Sequence, residues 1–155
     1  MMIAAVLVVC HANICRSPAA AALLARALPD VDIASAGVRA LAGAGADPQM
    51  REAARGLGLD LSAHRATQLG SLQCMRADLI LVMDARQQRF IESRHPYARG
   101  RTFRFALFDG GPPDIADPHG GPRSGFDTCL ARLGRCADAW RARIAALDAG
   151  ALRVT

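Results

Sequence analysis

The chain has 155 residues, of which 52% are hydrophobic and 21% are charged, and its formal net charge is +5. This composition is typical of one globular domain with a buried core, and it excludes an intrinsically disordered chain. No apolar run reaches the roughly 20 residues that span a bilayer, so we expect no membrane insertion. No cationic segment precedes the first apolar run, so we expect no secretion signal.

The basic residues are all arginine, 19 of them, and they are spread along the chain rather than clustered. Guanidinium groups bind phosphate oxygens in pairs, but no basic stripe or recognised motif predicts a nucleic-acid partner. The five cysteines contain no CxxC pair, which indicates neither a disulfide framework nor a structural zinc site. Reduced thiols of this kind predict a cytoplasmic protein.

The predicted elements alternate between strands and helices. Residues 3–9 are a continuous apolar run, typical of a strand buried on both faces. Ser17 and Pro18 are then interpreted as the N-cap and the first residue of a helix that ends at Leu28. Further strands are predicted over residues 31–37, 77–83 and 101–108, and further helices over residues 48–58 and 85–95.

The C-terminal part predicts a loop followed by a long helix. Residues 109–122 are rich in Gly, Pro and Asp, which indicates the loop, and the helix begins at Arg123. Its apolar residues recur at steps of four and three and predict one core-facing stripe: Phe126, Leu130, Leu133, Ala137, Trp140, Ile144 and Leu147.

Together these elements predict an α/β fold. We expect one domain over residues 1–155, with a four-stranded parallel sheet and helices on both faces. Ligands of such sheets bind beyond the C-terminal ends of the strands, so the loop after the first strand is the expected site.

That loop contains Cys10 and Arg16, six positions apart. The same spacing recurs from Cys129 to Arg135, but there it lies in the predicted long helix, and we interpret it as structural. The first copy joins a strand to a helix N-terminus, whose unpaired N–H groups and dipole bind phosphate. The same field favours a thiolate at Cys10, Ser17 can donate to its sulfur, and Arg16 can bind two phosphate oxygens.

Thiolate attack on a phosphate ester also requires an acid that protonates the leaving oxygen. The segment "DIADPHGG" makes Asp117 the favoured acid, and Asp109 and Asp114 are rivals in the same loop. From spacing and composition alone, a buried structural cysteine at position 10 and an ordinary turn aspartate stay open as alternatives.

Five stretches, taken together and in order, resemble the low-molecular-weight protein tyrosine phosphatases: "VVCHANICRSP", "ASAG", "GADP", "DLILVMD" and "DPHGGPRSGFD". The resemblance covers nearly the whole chain and is closest to the bacterial branch associated with exopolysaccharide export, whose members act opposite a tyrosine autokinase. It implies an enzyme that hydrolyses phosphotyrosine in proteins through a phosphocysteine intermediate. We expect a cytoplasmic monomer, although the sequence alone does not determine the oligomeric state. The resemblance implies no metal or other cofactor, and the substrate would be a phosphotyrosine protein such as an autophosphorylating tyrosine kinase.

The resemblance also implies residue roles. Cys10 matches the nucleophile, Arg16 the phosphate-binding arginine and Asp117 the general acid and base. The implied phosphate-binding backbone comprises His11, Ala12, Asn13, Ile14, Cys15, Arg16 and Ser17. The residues implied to brace this loop through hydrogen bonds are Asn13, Ser35 and His64. Cys15 matches a second cysteine, found in many members, that is able to form a reversible disulfide with the nucleophile under oxidation. His11 and His119 fall at the substrate rim.

Four positions depart from the family pattern. Ala12 stands where the family has glycine, which requires a negative φ or some strain. His11 replaces an aliphatic residue or threonine, and His119 replaces the tyrosine that clamps the substrate ring. Thr67 replaces an arginine, so the bracing around His64 is expected to differ.

Three other functions remain open on the sequence. An enzyme of the arsenate-reductase type needs a relay of neighbouring cysteines, which the spacing of Cys74, Cys129 and Cys136 does not offer. A phosphocysteine carrier would have no use for Asp117 as an acid. A non-catalytic phosphotyrosine-binding protein is suggested by Ala12 and would bind phosphate without turnover.

Overall fold

Four parallel strands form one sheet: β1 (Ala5–Cys10), β2 (Asp32–Gly37), β3 (Leu79–Val82) and β4 (Thr102–Arg104). Their order is β2-β1-β3-β4, which confirms the predicted four-stranded parallel sheet. The chain leaves β1 for a strand on one side and later returns to a strand on the other. The C-terminal end of β1 therefore lies at the switch point of the sheet, where ligands bind in α/β folds.

The computed structural model describes residues 2–150. The outermost residues of the predicted domain, residue 1 and residues 151–155, lie outside the described residues. Within residues 2–150 we find no helix whose length and apolarity would allow it to cross a membrane.

Helices cover both faces of the sheet, as predicted: α1 (Arg16–Ala27), α2 (Pro48–Arg55), α3 (Ser71–Arg76), α4 (Ala85–Arg94) and α5 (Arg123–Asp148). Val6 and Val8 of β1 belong to the core beneath α1, α2 and α5, together with Trp140. Leu7 and Val9 belong to the opposite core, beneath α3 and α4. Alternate residues of β1 thus enter different cores, which explains why its sequence is continuously apolar.

The long helix is confirmed, and all seven residues of its predicted stripe are buried. The stretch from Cys129 to Arg135 lies inside α5, with a buried cysteine and an exposed arginine.

The predicted fourth strand is too long. It was expected over residues 101–108, but β4 ends at Arg104 and the chain continues as a 3₁₀ turn over Phe105–Leu107. Phe105 and Ala106 are both buried, which consecutive residues of an extended strand with one covered face cannot achieve. The carbonyl of Phe105 accepts a hydrogen bond from Trp140 Nε1 at 2.9 Å, so packing on α5 ends the strand.

Two further details of the helices differ from the predictions. Ser17 is not the N-cap of α1, because the helix begins at Arg16 with Cys15 at the cap position and no capping side chain. The hydroxyl of Ser17 bonds inside the loop instead, to Asn13 and Cys10. The short helix α3 was not predicted. At its N-terminus the side chain of Gln73 accepts a hydrogen bond from the Gly70 N–H at 2.9 Å.

Candidate active site

The segment between β1 and α1, residues 10–17, is called here the phosphate loop. Each carbonyl oxygen of residues 10–14 accepts a hydrogen bond from outside the loop, at 2.7 to 3.1 Å; the donors, in order, are Val38 N, Arg39 N, Leu41 N, His64 Nε2 and Asp47 N. In contrast, the N–H groups of residues 11–17 donate to no other group within residues 2–150. The loop therefore turns its acceptors outward and leaves a row of donors free at a helix N-terminus, which is an anion-binding arrangement.

Asn13 holds the turn of this loop. Its φ is 60°, a left-handed conformation that asparagine tolerates better than most residues. Its side-chain Nδ2 donates to Ser17 Oγ at 2.8 Å and to Ser35 Oγ at 3.0 Å, and its Oδ1 accepts from Thr67 N at 2.9 Å. Within residues 2–150 no other non-glycine residue has a positive φ, so Ala12 keeps the negative φ that an alanine there requires.

The sulfur of Cys10 lies at the end of β1, 2.9 Å from Ser17 Oγ. Because Asn13 Nδ2 already donates to that hydroxyl oxygen, the hydroxyl proton is free to point at the sulfur. A hydrogen bond donated to the sulfur stabilises the thiolate over the thiol.

Arg16 is 4% exposed, and its donors are only partly used. Its NH1 donates to the carbonyl of Ile115 at 2.7 Å and lies 3.8 Å from Asp84 Oδ2. Its NH2 lies 3.6 Å from Asp117 Oδ2, and its Nε is buried without a hydrogen-bond partner. These contacts hold the side chain of Arg16 in place. Because a buried donor without a partner is costly, the free Nε indicates that Arg16 can still bind an anion.

Of the three candidate acids in residues 109–122, called here the acid loop, Asp117 is the one that lies beside Arg16. Its side chain is 43% exposed, so it can meet a substrate. Asp114 instead accepts from Arg104 NH1 at 3.0 Å and from Ala85 N at 3.2 Å. Asp109 pairs with Arg132 at 3.2 Å, and its side chain is 3% exposed.

The comparisons with known proteins agree with this geometry. The family model described as "Low molecular weight phosphotyrosine protein phosphatase" matches residues 5–149. The chain belongs to this family. The protein named "Probable low molecular weight protein-tyrosine-phosphatase EpsP" from Ralstonia nicotianae is 48% identical over 146 residues, which cover 94% of this chain and 99% of the relative.

Solved structures agree as well. The tyrosine phosphatase Wzb from Escherichia coli, in complex with sulphate, is 36% identical with a TM-score of 0.89, over 92% of this chain and 99% of that chain. The YwlE arginine phosphatase from Geobacillus stearothermophilus is 31% identical with a TM-score of 0.88, over 98% and 99% of the two chains. The predicted family and enzyme class, a low-molecular-weight protein tyrosine phosphatase, are thereby confirmed.

Three residues that lie at the site of this phosphatase were not predicted from the sequence. Gly37 is one, because a Cβ there would lie 2.7 Å from the carbonyl oxygen of His11 and 3.0 Å from Ala12 C. Asp84, two residues beyond β3 and at the N-cap of α4, is the second, because its Oδ2 lies 3.8 Å from Arg16 NH1. Asp84 could have been predicted as a site residue, because it follows the C-terminal end of the strand next to β1.

Asp47 is the third. It caps α2 by accepting from Gln49 N at 2.8 Å, and its own N–H donates to Ile14 O of the phosphate loop at 2.7 Å. Its second carboxylate oxygen lies 2.5 Å from His119 Nδ1. His119, expected at the substrate rim, is 55% exposed and links the acid loop to the cap of α2. His11 is exposed on the phosphate loop.

The other thiols of the phosphatase are buried and free. Burial raises the pKa of Cys15, and nearby Cys129 and Asp117 raise it further. Burial also raises the pKa of Cys129 to about 11, against the opposing effect of Arg16. Cys74 packs in the core on the opposite face of the sheet, away from Cys10.

Proposed function

We propose that this chain hydrolyses phosphotyrosine in proteins through a phosphocysteine intermediate on Cys10. The observation that carries the proposal is the phosphate loop: the carbonyls of residues 10–14 accept hydrogen bonds from outside the loop, while the N–H groups of residues 11–17 stay free around the cysteine. The buried, unpaired Nε of Arg16 supports the same reading, since a dianionic phosphoryl group supplies the acceptors that these donors lack.

In the first step the thiolate of Cys10 attacks phosphorus, and the bond between phosphorus and the tyrosine oxygen breaks. The carboxylic acid of Asp117 gives its proton to that oxygen, so that neutral tyrosine leaves. The phosphoryl group then stays on sulfur as a phosphocysteine.

In the second step Asp117, now a carboxylate, takes a proton from a water molecule whose oxygen attacks phosphorus. The bond between sulfur and phosphorus breaks, inorganic phosphate leaves and the thiolate of Cys10 returns. The hydrogen bond from Ser17 stabilises that thiolate as a leaving group. In both steps the loop N–H groups and Arg16 stabilise the equatorial oxygens, and Asn13, Ser35 and His64 keep the loop in place.

Cys15 has a protective role in this proposal. Its raised pKa keeps it a thiol, which makes it a poor nucleophile toward substrate. When peroxide oxidises Cys10 to a sulfenic acid, the Cys15 thiol condenses with it to a disulfide and releases water. Reduction by cellular thiols restores both residues, which fits the cytoplasm as the site of action.

The partner is proposed to be an autophosphorylating tyrosine kinase that acts in exopolysaccharide production. The sequence resemblance to that bacterial branch supports this, as does the similarity to the relative named EpsP. The test is release of phosphate from the phosphorylated tyrosines of such a kinase.

The experiment that tests the function is hydrolysis of p-nitrophenyl phosphate with EDTA present, by the wild type and by Cys10→Ser. We expect turnover by the wild type and none by the variant, which would still bind phosphate. Peptides that carry phosphotyrosine, phosphoserine and phosphoarginine would then define the substrate, since YwlE is named an arginine phosphatase. Absence of turnover by folded, reduced wild type contradicts the proposal, and preference for phosphoarginine contradicts its substrate.

A further inference from the structure

The acid loop contains no helix or strand, and a cavity of about 630 Å³ separates part of it from α5. Asp114, Asp117 and Pro118 line the cavity on the loop side, and Cys129 and Arg132 line it on the helix side. Ile115 is buried in the core, but the rest of this part of the loop is not closely packed against the helix. Other contacts must set its position.

Arg132 makes several of these contacts, in addition to the hydrogen bond from Ile115 N to Met83 O and the ion pair of Asp114 with Arg104. Its Nε lies 3.2 Å from Asp109 Oδ2 and its NH2 lies 3.4 Å from Asp109 Oδ1, so the guanidinium grips both carboxylate oxygens. Its NH1 donates to the carbonyl of Asp114 at 3.0 Å, and its NH2 also donates to the carbonyl of Pro112. One side chain of α5 thus bonds the acid loop at three successive places.

Two features of the loop accommodate this arginine. The side chain of Asp109 is almost fully buried. Although burial alone would raise its pKa, the hydrogen bonds from Arg132 and Gly111 hold that pKa below its usual value. Gly111 leaves room for the guanidinium, because a Cβ there would lie 2.9 Å from Arg132 NH2. The loop sequence is therefore matched to an arginine at position 132.

The contacts continue from Arg132 to the reacting groups. Ile115 follows Asp114, and its carbonyl accepts from Arg16 NH1 at 2.7 Å. Two residues later the carboxylate of Asp117 lies 3.6 Å from Arg16 NH2. The segment from Asp114 to Asp117 is thus held between two arginines, one from α5 and one from α1.

We propose that Arg132 is a positioning residue for the general acid, and that it acts through the acid loop without touching substrate. The inference rests on the proposed role of Asp117. Loss of Arg132 lets the loop shift across the cavity, so Asp117 delivers its proton less effectively. The cost falls on substrates whose leaving oxygen needs that proton, because a good leaving group departs without it.

The test compares kcat/KM for phenyl phosphate, a poor leaving group, with kcat/KM for p-nitrophenyl phosphate, a good one. The constant kcat/KM reports the steps up to loss of the phenol. For each variant, the ratio of kcat/KM for phenyl phosphate to kcat/KM for p-nitrophenyl phosphate does not depend on how much of the enzyme is folded. For Arg132→Met we expect about a 10-fold loss with phenyl phosphate and less than about a threefold loss with p-nitrophenyl phosphate. The matched control is Arg135→Met, because Arg135 lines the same cavity and forms no hydrogen bond or ion pair within residues 2–150.

Arg132→Met leaves the buried Asp109 unpaired, so the double variant Asp109→Asn with Arg132→Met is measured beside it. Gly111→Ala, which crowds the guanidinium, should move the ratio in the same direction. Equal losses for both substrates in all three variants, or the same ratio change in Arg135→Met, would overturn the inference. Asp117→Asn separates the two proposals: if its ratio is unchanged, the acid role itself fails, and if it alone changes the ratio, only the role of Arg132 fails.

Discussion

The phosphate loop and the acid loop meet at Arg16 but are held in different ways. The phosphate loop is mostly buried, and amides, hydroxyls and backbone groups around Asn13 hold it through short hydrogen bonds. The acid loop is mostly exposed. Ion pairs join Asp109 to Arg132, Asp114 to Arg104 and Asp117 to Arg16, and a hydrogen bond joins His119 to Asp47. The first arrangement suits donors that must match a fixed phosphate geometry, whereas the second suits the proposed proton donor, Asp117, which stands at an open edge.

The largest effect is expected from Arg16→Lys in the phosphate loop. A lysine keeps the charge but cannot offer two parallel N–H groups to phosphate or bond Ile115 in the same geometry. We expect kcat/KM for p-nitrophenyl phosphate to fall by about 10²- to 10³-fold, with phosphate inhibition weakened. Retention of wild-type phosphate affinity would contradict the proposed role of the two parallel guanidinium N–H groups of Arg16.

Asp117→Asn tests the acid loop with a nearly isosteric change. We expect kcat/KM for phenyl phosphate to fall by about 10²-fold, with a smaller loss for p-nitrophenyl phosphate. The thermal midpoint should stay unchanged, because the side chain is 43% exposed. The matched variants Asp109→Asn and Asp114→Asn test the rival acids, and an equal or larger leaving-group effect in either would reassign the role.

Gly37→Ala tests how tightly the phosphate loop is packed. The new Cβ would lie 2.7 Å from His11 O, a backbone atom, so β2 or the loop must shift. We expect the free energy of unfolding to fall by about 1–3 kcal/mol and kcat/KM to fall with it. Gly134→Ala is the control, since open space surrounds Gly134 within α5 and alanine should stabilise the helix. A neutral Gly37→Ala would show that the loop is more adaptable than its contacts indicate.

His119→Gln distinguishes two roles for that residue. If the pair with Asp47 holds the acid loop, kcat/KM should fall only about threefold, and more for phenyl phosphate than for p-nitrophenyl phosphate. If His119 contacts the substrate at the rim, KM for phosphotyrosine peptides should rise with no dependence on the leaving group. Kinetics with the two aryl phosphates and one peptide decide between them.

The smallest effect concerns stability in acid. The folded pKa of Asp109 is lowered, so its stabilising contribution is present above the unfolded pKa of about 3.9 and is lost as pH falls through the folded pKa. In urea unfolding below pH 4, Asp109→Asn should therefore lose stability less steeply with falling pH than the wild type. Asp30→Asn, at an exposed aspartate without an ion pair in residues 2–150, should follow the wild-type slope. Identical slopes for Asp109→Asn and wild type would contradict the prediction.

Local patterns in the sequence predicted the elements that depend on neighbouring residues. Apolar runs identified β1 and β3, and the stripe from Phe126 to Leu147 identified α5, because burial on a strand or a helix repeats with a fixed period. The same reasoning was wrong for the end of β4, which was predicted to extend to Phe108 but ends at Arg104. The conformation of Phe105 is set by its contact with Trp140, which is 35 residues away in sequence, and not by a local preference.

The phosphate loop could be recognised from the sequence because Cys10, Arg16 and the N–H groups between them are contiguous in the chain. A strand followed by a helix N-terminus determines where those N–H groups point. The acid loop could not be resolved in this way. Three aspartates share its composition, and contacts with Arg16, Arg104 and Arg132, which come from other elements, separate them. The partners of His119 and Gly37 likewise depend on where α2 and β2 lie.

By itself, then, the sequence determined the order of the strands and of every helix except α3, the parallel sheet and the identity of the loop that surrounds Cys10. These follow from periodicity and from residues adjacent in the chain. Only the tertiary structure decided which aspartate stands beside Arg16, what His119 binds and which arginine of α5 holds the acid loop. Those outcomes are contacts between residues far apart in sequence, and such contacts exist only after the helices have packed on the sheet.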